Sequence, residues 1–477
     1  MIHPDNNPTI ASSAYGGLAI NRIAPLDGGV EIEWELSGPA RGAQVLSDVQ
    51  EISQVKIMGV QIRFVHQAPA DARSFKVGDL SNGTDYAVSV SAIRGNTEVA
   101  RSHVRLFRPG ATPGVVVAYL HPEDFTFDSS GRSTASPALL RLPGGRLLAS
   151  HDIYWARGGQ NITHIYFSDD DGASWHFLSA LEPCSWGKMF WHRGALYVLG
   201  TKTEYGDLVV YRSDNEGRSF GRPAVILEGP GLRDKPGPHR APMPVVTHAG
   251  RIWTAVEFGT WEIETKHDAG VVSAPEDADL TDPRSWTVSG FTRYNPAWPG
   301  AIQGGSPGHH EGNVVVTPDG SLVNILRYHT IGGDPEYGKA IVLKVRTDDP
   351  AAPADFDRII DFPGNMSKFA ITRDQKTGLY VSLVNRVSLP WVGQRNILSL
   401  SVSTDAMHWR LVKDLINYQD IGWPEGYKLV GFQYVDFVIE DEDLLYLSRT
   451  ALNGANNFHD ANYITFHRLE RFRSLLK

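Results

Sequence analysis

Two stretches of this sequence crowd together side chains that move protons near neutral pH. SPGHHEGN (306–313) and RYHTIGG (327–333) put His309, His310, Glu311 and His329 around one expected hairpin. FHDANYITFHR (458–468) adds His459, Asp460, Tyr463 and His467. Histidine and tyrosine in such a setting suit general acid–base work. A metal reading of His459 and Asp460 has no HxH or HExxH spacing behind it, so neither metal nor cofactor is expected. A third candidate is acidic: IYFSDDDGASWHF (165–177) runs Asp169, Asp170 and Asp171 ahead of Gly172 and Trp175.

The elements that must position these groups repeat. An apolar strand, a turn and a second apolar strand with a polar end recur at 136–152, 186–202, 241–257, 311–329, 366–386 and 433–451. Most of the turns carry Gly or Asp-Gly, as two-stranded hairpins require. Helical periodicity is nearly absent. Six similar antiparallel units, roughly one every ~45–70 residues, predict an all-β fold: a six-bladed β-propeller over 116–477. Residues 1–110 also read as strands, with Tyr86, Val88, Val90 and Ala92 on one face. RPGATPG (108–114) reads as a Pro/Gly linker, placed at 111–115.

In a propeller the inner strands converge on a central funnel, so the polar strand ends are its expected lining. The second strands give His151, Asp152, Lys202, Glu257, Arg327, His329, Arg386 and Arg449. The starts of the first strands add Lys188, His239, Arg240, His310, Glu311, Asn313, Lys368, Gln433 and Tyr434. For any one residue, a strand merely leaving the core explains the change as well. Basic residues at the ends of several units favour an anionic ligand. His459 joins the substrate-binding candidates. Trp155, Trp186, Trp191, Trp298, Trp391 and Trp423 would suit aromatic platforms for a ligand.

The acidic run has a more ordinary explanation. Ser168-x-Asp170-x-Gly172-x-x-Trp175 recurs as Ser213-x-Asn215-x-Gly217-x-x-Phe220, and in shortened form as Ser403, Asp405 and Trp409. Ser and Asp there bond the hairpin's own backbone, Gly takes a positive φ, and the aromatic fills the space beneath. The spacing matches the Asp-box, so 116–477 resembles the sialidase-like (BNR, Asp-box) propeller superfamily. Leu80-x-x-Gly83-x-x-Tyr86 resembles the tyrosine corner of immunoglobulin-like sandwiches, and residues 1–110 resemble a fibronectin type III module.

The resemblance implies a carbohydrate-active enzyme on a glycan or polysaccharide. Members include sialidases, other exo-acting glycosidases and polysaccharide lyases, and fold does not choose among them. Sialidases hold a carboxylate with three arginines, the first in an Arg-Ile-Pro motif. Here that place reads TASPALL, with Ser136 before Pro137; Arg327 and Arg449 match the other two by position. The leading expectation is a glycosidase acting on a terminal or acidic sugar, with Glu257 and Glu311 as carboxylates and His310 and Tyr463 as alternatives. A lyase with a His or Tyr base, and a non-catalytic glycan-binding propeller, are the alternatives.

Bulk properties agree with this. The chain has 477 residues and a net charge of −9, with no basic block for nucleic acid. Its one cysteine, Cys184, excludes a disulfide framework. No apolar run approaches the ~20 residues of a membrane helix. The first residues lack the pattern of a signal peptide, so a cytoplasmic or a secreted bacterial protein is expected.

Overall fold

The computed structural model describes residues 13–15, 17–36, 54–59, 64–124, 131–154, 160–262, 266–364, 367–387, 389, 391–420 and 426–476. Trp155 and Trp423 lie outside them. Among the described residues there are strands and short 3-10 turns but no α-helix, and hence no helix long and apolar enough to cross a membrane.

Six antiparallel sheets form the propeller, each led by one of the predicted hairpins. Blade 1 is Ser133–Arg141, Leu147–Tyr154, Thr163–Ser168 and His176–Leu181. Blade 2 is Ser185–His192, Ala195–Thr201, Gly206–Ser213 and Ala224–Pro230. Blade 3 has a broken inner edge, Gly237–His239 and Val246–His248, followed by Arg251–Gly259, His267–Pro275 and Thr287–Val288. Blade 4 is Gly308–Val316, Leu322–His329, Lys339–Lys344 and Asp355–Asp361, and blade 5 is Ala370–Arg373, Tyr380–Asn385, Ile397–Ser403 and Trp409–Asn417. Blade 6 takes Gly431–Glu440, Asp443–Ala451 and Tyr463–Leu469 from the end of the chain and Val115–Tyr119 from before blade 1. That outer strand closes the ring: pairing Val115 with Phe466 and Tyr119 with Tyr463 leaves no broken blade.

The strands before residue 110 form two further antiparallel sheets, whose apolar faces share a core of Ile32, Trp34, Val55, Tyr86, Val88, Val90 and Phe107. The Tyr86 hydroxyl accepts a hydrogen bond from the Ser81 backbone amide at 2.9 Å. These sheets are tied to the propeller by buried charge. Arg22 donates to the Val116 and Val117 carbonyls at 2.9 and 3.0 Å while pairing with Glu31 and Glu33, and Arg105 pairs with Asp124 at 2.6 Å.

The acidic run is turn chemistry. Ser168 Oγ donates to Asp170 Oδ1 at 2.8 Å and accepts from the Gly172 amide, and Asp170 Oδ1 also accepts from the Ser174 amide. Asn215 and Asp405 make the same local bonds behind Ser213 and Ser403. Gly172 sits at φ +88°, where an added Cβ would meet the Phe466 ring at 2.1 Å. Trp175 is fully buried, its ring 5.3 Å from that of Phe466 between blades 1 and 6. Trp175→Ala is expected to cost roughly 3–5 kcal/mol of stability, as loss of a large buried aromatic does. Chemical denaturation checks this, with near-normal turnover in the fraction that stays folded; a stable but inactive variant would place the turn at the catalytic centre.

Candidate active site

Among the described residues, four of the six inner strands carry the same irregularity. Their register slips between Ala135 and Ala138, Ser185 and Lys188, His310 and Asn313, and Gln433 and Asp436. Each slip is a β-bulge whose extra residue takes a left-handed conformation: Ser136 (φ 48°), Trp186 (φ 53°), Glu311 (φ 54°) and Tyr434 (φ 54°). None of these is glycine, so each bulge carries a conformational cost of roughly 1–3 kcal/mol that the surroundings must offset. Bulges of this kind re-aim a side chain. All four residues line one cavity of about 170 Å³, together with Tyr154, Glu204, Arg233, His239, Arg240, Trp261, Arg327, Arg395, Arg449 and His459.

The bulges are held by a layer of polar braces beneath the cavity. Lys188 and Asp436 form an ion pair at 2.5 Å across blades 2 and 6, and Asp436 also accepts from the Leu139 amide of blade 1. Lys368 donates to the Val435 carbonyl at 2.7 Å, and burial pushes its ammonium down to about 8. Asn313 bridges blades 4 and 5 through the Phe369 carbonyl and the Ile371 amide. Asp152 accepts from the Trp186 amide at 2.8 Å. Glu257 joins His239 Nδ1 at 3.2 Å to the Gly312 amide at 3.1 Å, so it fixes an imidazole and the Glu311 bulge together.

Glu311 is buried on the cavity wall, 3% exposed. One of its oxygens accepts from Arg327 at 2.8 Å; the other accepts a short bond from the Tyr434 hydroxyl. Burial alone would raise this carboxyl, but Arg327 and Tyr434 outweigh it and hold it below its ordinary value. Tyr434 is pushed up by burial and then by Glu311, so its phenol keeps its proton at rest. Two more guanidiniums flank the Tyr434 ring, Arg449 at 5.2 Å and Arg395 at 5.6 Å from its centroid. Arg395 donates to Gln433 at 2.6 Å and Arg449 to the His459 carbonyl; the Nε of each is buried without a partner. Glu204 is the other carboxylate on the cavity wall among the described residues. Burial raises it above its ordinary value, and Arg233 at 3.0 Å offsets only part of that.

The cavity therefore gathers Glu311, His239, Arg240, Arg327, Arg449 and His459 from the sequence-based candidates. Lys188, Lys368, Asn313, Gln433, Asp152 and Glu257 are braces, which corrects Glu257 as a carboxylate facing substrate. His310 lies behind the wall, its ring 6.0 Å from His239 and 5.0 Å from Trp261, and burial with nearby Arg327 keeps it well below its ordinary pKa. His329 lies beside the cavity, its ring 6.0 Å from that of Trp261.

Four candidates lie elsewhere. His151 stacks on Tyr166 within blade 1, where burial pushes it down to about 4. Lys202 pairs with Asp207 at 2.9 Å and Arg386 with Asp414 at 2.7 Å, both away from the axis. Tyr463 sits in the third strand of blade 6 against Tyr119 with its hydroxyl bonded to Asn453, so it is a packing residue. Of the tryptophans, Trp186 and Trp261 reach the cavity, whereas Trp298 packs on Phe356 at 4.5 Å.

The acidic turns are at the far end of the blades. Ser136 and Tyr154 lie at the cavity end of blade 1, while Ser168 pairs with Leu147 at the other end. A larger, open depression of about 680 Å³ there is lined by charges paired with one another, Arg141 with Asp171 and Glu440, and Arg468 with Asp443.

No family model matches the chain, and no curated protein matches it. Solved structures do. The α-L-arabinanase of Penicillium chrysogenum, complexed with arabinobiose, aligns over 76% of this chain and 99% of its own at 13% identity and a TM-score of 0.50. The α-L-arabinofuranosidase of Fusarium graminearum with an iminosugar inhibitor aligns over 77% and 100% at 13% identity and a TM-score of 0.51. The leech intramolecular trans-sialidase aligns over 97% and 93% at 9% identity and a TM-score of 0.47. The first two share the propeller fold of this chain.

Proposed function

We propose that the chain is a retaining glycoside hydrolase that removes an acidic sugar from the end of a glycan. The observation that carries this reading is the Tyr434–Glu311 hydrogen bond inside a cavity walled by Arg327, Arg395 and Arg449. The cavity is smaller than the ~300–1,000 Å³ of drug-sized sites, which suits a single terminal residue. The arabinanase and arabinofuranosidase of similar fold bind arabinobiose and an iminosugar, in keeping with a sugar in the funnel.

The two carboxylates on the wall are pushed in opposite directions, which divides acid from base. Glu204, raised, protonates the leaving oxygen. The Tyr434 oxygen attacks the anomeric carbon as its proton passes to Glu311, and the bond to the leaving group breaks. Arg327, 3.5 Å from the Tyr434 hydroxyl, stabilises the charge developing there. Water then cleaves the glycosyl–tyrosine bond, giving its proton to Glu204, while Tyr434 recovers its own from Glu311. Two displacements retain the anomeric configuration. A neutral phenol also approaches an acidic sugar without the repulsion a carboxylate nucleophile would meet.

The pH profile tests the division. Activity should fall at low pH as Glu311 is protonated, below the ordinary carboxylate range, and at high pH as Glu204 loses its proton, above that range. Glu204→Gln should abolish the alkaline limb and slow poor leaving groups far more than activated aryl ones. An unchanged alkaline limb would remove Glu204 from the acid role. A lyase reading is favoured by one observation, the His239–Glu257 pair, which could serve as a base at C5 of a uronate. Product analysis separates the two: an unsaturated uronate absorbs in the ultraviolet, a hydrolysis product does not.

A further inference from the structure

Arg240 has no part in the chemistry above. It lines the cavity beside His239 and is 1% exposed. Its Nε donates to the Ala241 carbonyl at 3.1 Å, but both terminal nitrogens are buried without a partner. The other cavity arginines differ: Arg327 has Glu311, Arg395 has Gln433, Arg449 has the His459 carbonyl and Arg233 has Glu204. Glu257 is the acidic group that acts on Arg240 most, yet its two oxygens are committed to His239 and the Gly312 amide. A guanidinium keeps its charge under all ordinary conditions, and a buried, unpaired charge is among the least favourable features a fold can hold. Two free N–H groups on one planar fork match a bidentate oxyanion.

We propose that Arg240 is an oxyanion subsite additional to Arg395 and Arg449, which flank Tyr434 and would hold the acidic group of the terminal sugar, and that the substrate carries two acidic groups, each a carboxylate or a sulfate ester. The subsite follows from Arg240 itself; the doubly acidic substrate rests on the hydrolase reading. The two arginine sites enter from different walls, Arg240 from the inner edge of blade 3 and Arg395 and Arg449 from blades 5 and 6. Arg395 and Arg449 flank the Tyr434 ring, whereas Arg240 extends from beside His239, so a second acidic group on the substrate would supply the partner that Arg240 lacks.

Inorganic sulfate and acetate are the probes. Calorimetric titration of the full chain should find two sulfate sites, of which Arg240→Met removes one and Arg395→Met the other. Arg240→Lys, which keeps charge but loses the fork, should weaken its site at least tenfold. Acetate against sulfate tells which oxyanion each site prefers. Arg240→Met should also raise the unfolding midpoint in chloride buffer, since it removes an uncompensated charge, and should forfeit part of the sulfate-induced rise seen in wild type. A single sulfate site, lost in Arg395→Met and retained in Arg240→Met and Arg240→Lys, overturns the subsite and leaves the acidic-sugar reading intact. A single site lost only in the Arg240 variants upholds the subsite and removes the Arg395–Arg449 pair as the carboxylate holder. If Arg240→Met fails to fold, Arg240→Lys decides: sulfate stoichiometry and affinity equal to wild type overturn the proposal.

Discussion

Tyr434→Phe should lower kcat/KM by about a thousandfold or more while leaving the fold intact, because it removes one oxygen, the proposed nucleophile. The phenyl ring keeps its place between Arg395 and Arg449, so thermal melts should be close to wild type. Glu311→Gln should lose roughly 10²–10⁴-fold, since an amide cannot take the Tyr434 proton. It should also destabilise the fold, because Arg327 loses its charged partner in a buried setting. The two losses should not add, since the side chains act as one unit. Glu204→Gln, which slows breakdown of the intermediate, should accumulate a sugar adduct on the peptide that contains Tyr434, visible by mass spectrometry. Tyr434→Phe activity within threefold of wild type would sink the nucleophile assignment and turn attention to His239.

How far the sequence anticipated this site depends on strand register. The six hairpins were legible because apolar alternation broken by Gly-bearing turns survives in each copy. The Ser168–Trp175 turn was legible because its bonds are local, so spacing alone specifies them. Polar ends of the second strands pointed inward only at one position per blade. In four blades that position faces the residue just before the bulge, Asp152 opposite Ala135, Thr201 opposite Ser185, Arg327 opposite His310 and Arg449 opposite Gln433, and in blade 3 Glu257 faces His239, the last residue before the break in the inner edge. Lys202 and Arg386 each stand one residue beyond their strand, and a single step along a strand reverses the side chain. Both accordingly meet aspartates outside the cavity.

The bulges themselves were not legible. One extra residue leaves the apolar pattern intact on either side, so Glu311 stands out by its type as a carboxylate candidate, whereas Tyr434 is only one member of a long lining. Arg395, Glu204 and Arg233 lie in connections between strands, where no periodicity reports direction. Three of these groups carry signs of function only once folded: a buried Nε without a partner on Arg395, a raised carboxyl at Glu204, and a left-handed backbone at Tyr434.

Loss of the arginines should separate ligand recognition from catalysis. Arg395→Ala and Arg449→Ala should each cut kcat/KM on an acidic substrate by on the order of 10–100-fold, given ~1.5–3 kcal/mol for a hydrogen bond to a charged group. The loss should shrink on the methyl ester or the carboxyl-reduced form, which offers no carboxylate to hold. Lysine should restore only part of it, since the planar fork is gone. Arg327 should behave differently. It is bonded to Glu311 at 2.8 Å and lies 3.5 Å from the Tyr434 hydroxyl, so it is placed to serve the nucleophile pair. Arg327→Ala should therefore lose activity about equally on charged and neutral forms, with kcat falling more than KM rises. The measurement is kcat and KM for the three variants on both substrate forms, with thermal melts as a control for folding. Equal losses on both forms at Arg395 and Arg449 would remove the acidic ligand from the reading and make those two arginines braces for the Tyr434 ring. A charge-selective loss at Arg327 would instead move the carboxylate next to Glu311, where the nucleophile pair could not operate as described.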